Sequence, residues 1–452
     1  MAVMEYGLTA GLARMAAQQA DAPISAAAIA AAKRAFIDTL GVALAGWREP
    51  GIGLLAATLS AGDEATALRG GACLSARDAA LLNGMAAHVL DYDDVAMHGH
   101  PSVVLVPAIM AEAQRLGASG SAALRAYVLG YETWAELGWR ETGSYHLGSW
   151  HPTAMLGTIA ATVAVAALNW LDAGTAGHAI AIAASFAGGV IGNFGTPIKP
   201  LQAGRAAANA IDAVRLATAG LTGSASALEG PHGLLRGISP AGDVDTHAPL
   251  RLAQGPDDWR LLSEGLSVKR YPVCYASHRA IDGVIALAAE AGLSATDVAG
   301  VTVSLGRAQA ATLRFRHPTT GLEARFSLHH NVAAALIDKA VGFAQLSDDY
   351  VQRADVAACY GLTRMELVDE ECPDQPGMAK FDRVVIETRG GRRLDSEPIR
   401  HPQGHARQPL SDANLDAKFL DCARYGDVRN AAAMLEHLRS LERLGNLGEL
   451  AA

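Results

Sequence analysis

Apolar residues recur every three to four positions through most of the first 262 residues, the period of helices with one buried face. Ser25 stands as N-cap to a helix through AAAIAAAKRAFIDTLGVALA that stops near Gly46. Ser75, with Asp78 three residues on, forms a capping-box pattern before ARDAALLNGMAAHVLDYDD. The periodicity predicts further helices over 104–116, 122–139, 153–168, 177–187 and 204–219. Strand-like alternation is nearly absent from this part, and its loops gather Gly, Pro and His.

The pattern changes after WRLLSEGLSVKRYP. A helix over 278–291 precedes AGVTVSLG, whose alternating valines read as a strand. Helices over 326–341 and 348–359 follow, then two more strands, TRMELVD and FDRVVIETRGG. Beyond Pro402, SDANLDAKFLDCARYG and RNAAAMLEHLRSLERL return to the helical period. The fold class expected is mainly α: a large all-helical domain of 1–264 and 404–452, with a smaller α+β domain of 265–403 inserted as a lid.

Composition agrees with closely packed helices. Half of the residues are hydrophobic but only 5% are aromatic, and alanine is abundant. The net charge of −9 argues against a nucleic-acid or anionic-membrane binder, yet leaves room for a locally basic site. Five scattered cysteines, without a C-x-x-C pair, point to reduced thiols and a cytoplasmic protein rather than a disulfide or zinc framework. The N-terminus lacks the basic-then-apolar layout of a signal peptide. The apolar stretch 152–168 is read as a buried central helix, not a membrane span.

Four polar clusters could carry chemistry. The first is His88-Val-Leu-Asp91-Tyr-Asp93-Asp94, leading to His98-Gly-His100-Pro101. On a helix, His88, Asp91 and Val95 share a face, Asp94 stands three residues from Asp91, and Asp93 points elsewhere. Carboxylates at a helix C-terminus oppose the macrodipole, so a role such as orienting a histidine is expected; a solvated acidic helix end is the alternative. The second cluster is Tyr145 to Thr153, where His151 precedes Pro152 at a helix entrance. The third, 188–205, is a glycine-rich loop holding Lys199 between Pro197 and Pro200. It is neither a P-loop nor a dinucleotide fingerprint. The fourth, Lys269 to Arg279, carries His278 at a helix start near the domain boundary; its Cys274 reads as core or lining.

HVLDYDD with HGHPS, WHPT, TPIKPLQAGRAA and KRYPVCYASHRAIDG, in that order and spacing, resemble the MmgE/PrpD family, and SDANLDAKF adds to the likeness. That family includes 2-methylcitrate dehydratase, cis-aconitate decarboxylase and iminodisuccinate epimerase. The resemblance implies a homodimer, a site between the two domains, and no cofactor. It places site positions on Asp91, His100, His151, Lys199 and His278, with Tyr145 as a further catalytic candidate. His88, Asp94, Arg205 and Lys269 are expected as substrate-binding groups. Val95, where the decarboxylase has threonine, and the want of a counterpart to its lid tyrosine near 312–317 turn the expectation away from decarboxylation.

The leading expectation is a cofactor-independent dehydratase of a 2-methylcitrate-like acid, abstracting a proton next to a carboxylate. Epimerisation of an imino- or amino-dicarboxylate is the alternative, with Tyr145 and Lys199 on opposite faces of the substrate. Decarboxylation of cis-aconitate and a non-catalytic helical binding protein stand behind it. A divalent metal held by His88, Asp91, Asp94, His98 and His100 was weighed, and no metal is expected. An iron–sulfur route lacks clustered cysteines. The D-x-D-D pattern of Asp91 to Asp94 also suits a terpene cyclase, but aromatic residues are too few to line such a site.

Overall fold

The computed structural model describes residues 7–18, 23–68, 71–97, 99–143, 145–372 and 375–451. They fall into two compact units, Met1–Ser267 with Ser411–Ala452, and Val268–Leu410.

The main helices of the larger unit, before the chain enters the smaller one, are α1 (Leu8–Ala17), α2 (Ala26–Gly46), α3 (Ala76–His88), α4 (Ser102–Leu116), α5 (Gly120–Trp139), α6 (Pro152–Leu168), α7 (Ala173–Phe186) and α8 (Ile198–Thr218). Ser25 and Ser75 cap α2 and α3 as their sequences predict, each side chain accepting a backbone N–H. All 17 residues of α6 are buried, which accounts for its apolar run. Each Val, Leu or Ile enclosed this way contributes roughly 1.5–3 kcal/mol. No described helix is long and apolar enough to cross a membrane. A short ladder, Ala65–Thr66 against Cys73–Leu74, is a small exception to the all-helical character of this unit.

Two glycines set the geometry of the site. Where α3 crosses α8, a Cβ on Gly84 would lie 2.8 Å from Cα of Gly204, and one on Gly204 would lie 2.1 Å from the Leu81 carbonyl oxygen. Only two bare backbones approach so closely. The crossing brings the C-terminal end of α3, with His88, to the N-terminal turns of α8, with Lys199 and Gln202.

The smaller unit contains α9 (His278–Glu290), β1 (Val298–Gly306), α10 (Leu328–Asp338), α11 (Ala354–Tyr360), β2 (Thr363–Val368), β3 (Arg383–Thr388) and β4 (Arg393–Asp395). The strands form one sheet in the order β2-β1-β3-β4. β1 runs parallel to β2, with Val301 beside Thr363, and antiparallel to β3, with Val303 beside Val384. Ile281, Val284, Val301, Val303, Leu336, Val384 and Ile386 share its core. The single helix predicted over 348–359 is broken into Asp348–Val351 and α11.

The chain then returns to the larger unit with α12 (Asp412–Tyr425) and α13 (Ala431–Arg439), both packed on α2.

Candidate active site

Helix α3 ends at His88, six residues before the end that periodicity predicts. Val89 caps it, the Asp91 N–H returns to the His88 carbonyl at 3.1 Å, and Asp91 takes a left-handed backbone with φ 52°. Asp tolerates that region better than most residues. The turn overturns the single-face reading of this segment, because no helix carries the three acids. Asp91 and Asp93 both join the cluster, and Asp94 leaves it.

Asp93 is the centre of the arrangement. It is fully buried, and its two carboxylate oxygens each lie 3.1 Å from Nδ1 of His88. Nδ1 of His100 lies 2.7 Å from Oδ2 of Asp93. Burial alone would raise the Asp93 pKa, but the two imidazoles together hold it far below the usual carboxylate range. An ionised Asp93 accepts the Nδ1 proton of His88 and leaves Nε2 of that ring as the basic nitrogen. This Nε2 is buried and has no hydrogen-bond partner among the described residues. Burial, opposed by Asp93 and assisted by the Lys199 charge, lowers the His88 pKa to about 4, so the ring is neutral at pH 7.

His151 reaches the cluster from the entrance of α6. Its backbone N–H donates to the Gly189 carbonyl at 3.0 Å, and Pro152 opens the helix behind it. Nδ1 lies 2.7 Å from Oε1 of Gln202, and Nε2 is buried without a hydrogen-bond partner among the described residues. Burial first, then the nearby His88 and Lys199, lower its pKa to about 2. The rings of His88 and His151 are nearly parallel, 17° apart with centroids at 5.8 Å, while His100 meets His88 edge-on at 4.7 Å. Gly99 lets the His100 loop close on α6, since a Cβ there would lie 2.9 Å from Oγ1 of Thr153. That hydroxyl accepts the His100 N–H at 3.2 Å.

Lys199 sits in the first turn of α8, not in a loop as the flanking prolines suggest; proline is tolerated in a first turn, where its missing N–H has no helical partner. Its Nζ donates to Oδ1 of Asp91 at 2.7 Å and lies 5.3 Å from the Phe194 ring centroid. The Phe194 ring also meets the His151 ring edge-on, with centroids 4.9 Å apart.

Of the expected site residues, His88, Asp91, His100, His151 and Lys199 therefore come together. Asp94 does not join them. It is fully buried, accepts from Ser102, whose hydroxyl also bonds Tyr127 at 2.7 Å, and burial and Asp38 push its pKa well up. Arg205, six residues beyond Lys199 on α8, is exposed. Tyr145 is buried in the turn Tyr145–Gly148, where burial and Glu141 keep its phenol protonated. His278 and Lys269 belong to the smaller unit, and both are buried. Nε2 of His278 lies 3.2 Å from the Val273 carbonyl, with Tyr271 and Tyr275 rings against it at 5.2 and 5.0 Å. His98 lies outside the described residues.

Sequence reasoning missed Asp93 as the shared carboxylate and passed over Gln202 and Phe194. Gln202 stands three residues after Lys199 and would have been visible on the same helical face had the helix been started at 198.

Ligand atoms of His88, Asp91, Asp93 and His100 lie within 4.8 Å of one another, a grouping able to hold a metal ion. The set differs from the one weighed on sequence, with Asp93 in place of Asp94. One carboxylate of the grouping already holds the Lys199 ammonium.

Chemically, the cluster pairs two neutral imidazoles bearing unengaged Nε2 atoms with a buried carboxylate and an ammonium. Such a set can take a proton from carbon and stabilise the negative charge left behind. Residues 10–247 match the MmgE/PrpD N-terminal domain, and residues 271–441 match the MmgE/PrpD C-terminal domain. The chain belongs to the MmgE/PrpD family. Human cis-aconitate decarboxylase is 26% identical over 380 residues, covering 80% of this chain and 77% of that protein. The mouse cis-aconitate decarboxylase is 28% identical over 361 residues, covering 75% and 70%. The protein is thus similar along most of its length to lyases of this family.

Proposed function

We propose that this MmgE/PrpD enzyme is a cofactor-independent lyase acting on a small di- or tricarboxylate at the carbon next to a carboxylate. The observation that carries this reading is the pair of buried, neutral imidazoles, His88 and His151, whose Nε2 atoms are unsatisfied beside the Lys199 ammonium. In dehydration of a 2-methylcitrate-like acid, His151 takes the proton from carbon, and the electron pair forms the double bond as hydroxide leaves. His100 or Lys199 supplies the proton that releases it as water. The empty-site pKa of His151 is low, but an arriving polyanion favours its protonated form. Lys199 holds a substrate carboxylate as charge develops on it.

A second reading, decarboxylation of cis-aconitate, is favoured by the two relatives of that name. There the C–C bond to the carboxylate breaks, carbon dioxide leaves, and the same acids protonate the carbon.

Purified protein incubated in deuterated water with 2-methylcitrate, citrate, cis-aconitate and iminodisuccinate separates the readings. An unsaturated acid from a hydroxy-acid supports dehydration, and carbon dioxide from cis-aconitate supports decarboxylation. Deuterium entry with racemisation and no unsaturated product would move the assignment to an epimerase. His151→Gln and Lys199→Met are each expected to lower turnover about 10²–10⁴-fold; turnover within a few-fold of wild type in both variants sinks the proposal. His278→Gln and Lys269→Met measure what the smaller unit contributes.

A further inference from the structure

Helix α12 sends one charged side chain into the interior of the larger unit. Lys418, from the SDANLDAKF segment, is 7% exposed. Its Nζ lies 2.5 Å from Oδ1 of Asp38 on α2 and donates to the backbone carbonyl of Tyr92 at 2.8 Å. The same ammonium sits 3.9 Å from the centroid of the Tyr92 ring.

Tyr92 is the residue between the two working acids. On one side Asp91 holds Lys199, and on the other Asp93 is shared by His88 and His100. The ammonium carries three N–H donors, and beyond the Asp38 carboxylate it meets the Tyr92 carbonyl and ring. Those two contacts fix the main chain and side chain of one residue. That residue follows directly on the left-handed Asp91, a conformation that persists only where its surroundings impose it. Asp94, two residues beyond Tyr92, is fixed separately by Ser102. The segment is thus held from below at Tyr92 and Asp94, which leaves Asp91 and Asp93 to face the histidines and Lys199.

We propose that Lys418 is a positioning residue of the candidate site, holding the Tyr92 carbonyl so that Asp91 and Asp93 meet their partners. The proposal rests on the site assignment above, but its test does not need the substrate to be known.

Removing Lys418 alone would strand Asp38 as an unpaired buried charge and unfold the protein for a trivial reason. The test is therefore the neutral pair Lys418→Met with Asp38→Asn, followed by thermal unfolding and ¹⁵N spectra of the imidazoles in the full chain. The expected result is a cooperatively folded variant in which the His88 and His100 nitrogen signals move. Turnover on whichever acid the panel identifies is expected to fall about 10²-fold, the scale of a displacement near 1 Å. Lys418→Gln with Asp38→Asn keeps a donor for the Tyr92 carbonyl and is expected to restore the signals. Wild-type imidazole signals in a folded methionine pair overturn the proposal. Should that pair not fold, Lys418→Arg decides, since it keeps the charge but its broader planar guanidinium must displace Tyr92; unchanged imidazole signals in it overturn the proposal equally. If the panel shows no turnover at all, the lyase reading fails while the imidazole spectra still decide the role of Lys418.

Discussion

Gln202 determines which nitrogen of His151 carries the proton. Its amide nitrogen is engaged by the Val190 carbonyl at 3.1 Å, so its oxygen faces Nδ1 of His151 at 2.7 Å. An oxygen there accepts, so Nδ1 donates and Nε2 keeps its lone pair. Gln202→Glu is expected to reverse this economy of charge. A carboxylate beside the ring favours the imidazolium and raises its pKa from about 2, by roughly 1–3 units. Imidazole ¹⁵N titration checks the shift, and the acid limb of the rate profile should move to higher pH with it. An unmoved titration would show that Gln202 does not govern the ring.

The same two histidines make the fold sensitive to mild acid. Folded-state pKa values of about 4 for His88 and about 2 for His151 lie below the ordinary 6.5, mainly through burial. Below pH 6.5 the unfolded chain therefore binds protons that the folded chain refuses, and stability falls as pH falls. For His88 the loss accumulates between about 6.5 and 4, and for His151 it continues toward 2. Asp94 and Asp38, whose pKa values are raised, act in the opposite direction, so the clean measurement is a difference. The fall in Tm between pH 6.5 and 4 should be shallower in a His88→Gln/His151→Gln variant than in wild type. Parallel curves would contradict the assignment of neutral buried rings.

The helical unit and the strands β1, β2 and β3 were legible because burial leaves a period in the sequence. The site was legible only in part, because its geometry depends on where helices stop. Periodicity places His88 within a helix running on to Asp94, since His-Val-Leu-Asp-Tyr-Asp-Asp contains neither Gly nor Pro to mark the end. The stop is made by Asp91 turning left-handed under tertiary constraint, which no local propensity announces. Lys199 was assigned to a loop because Pro197 and Pro200 look like breakers, although both fit a helix entrance. Partnerships such as Asp93 with His100 or Lys418 with Tyr92 span turns or hundreds of residues and have no periodic signature.

Asp91 combines two demands, a left-handed backbone and a charge for Lys199. Asparagine meets the first and not the second. Asp91→Asn is therefore expected to keep its Tm within about a degree or two of wild type while losing most turnover. Asp91→Val meets neither, and should lose roughly 1–2 kcal/mol of stability in addition. Thermal unfolding alongside initial rates separates the two effects, and equal Tm loss in both variants would refute the backbone argument.

The grouping of His88, Asp91, Asp93 and His100 raises the question of a metal directly. Nδ1 of His88 is already engaged with Asp93, and the Lys199 ammonium occupies Asp91. A divalent ion would have to displace that ammonium against its own charge. Protein dialysed against EDTA is expected to retain full turnover and to contain no stoichiometric metal by elemental analysis. Activity lost to EDTA and regained with one equivalent of a divalent ion would replace Lys199 by a metal in the scheme.

The crossing of α3 and α8 is the most sensitive point remote from the reacting groups. Gly84 stands one turn before His88 on α3, and Gly204 two residues after Gln202 on α8. A Cβ at Gly204 would stand 2.1 Å from the Leu81 carbonyl oxygen and 2.8 Å from the Met85 nitrogen. Both are backbone atoms of a buried helix, which cannot swing aside as a side chain would, so the helices must part. Overpacking of this kind costs about 1–3 kcal/mol. Alanine would itself raise helix propensity by roughly 1 kcal/mol, so a stability gain is the outcome if the contact were loose. Gly204→Ala is expected to lower Tm and also to reduce turnover, because separating the helices moves Gln202 and Lys199 away from His151 and Asp91. Alanine at Gly237, in the helix Leu234–Ile238 where nothing lies within 4 Å of the added carbon, is the control and should raise Tm slightly through helix propensity while leaving turnover unchanged. A Gly204→Ala protein as stable and active as wild type would show that the crossing does not hold the site.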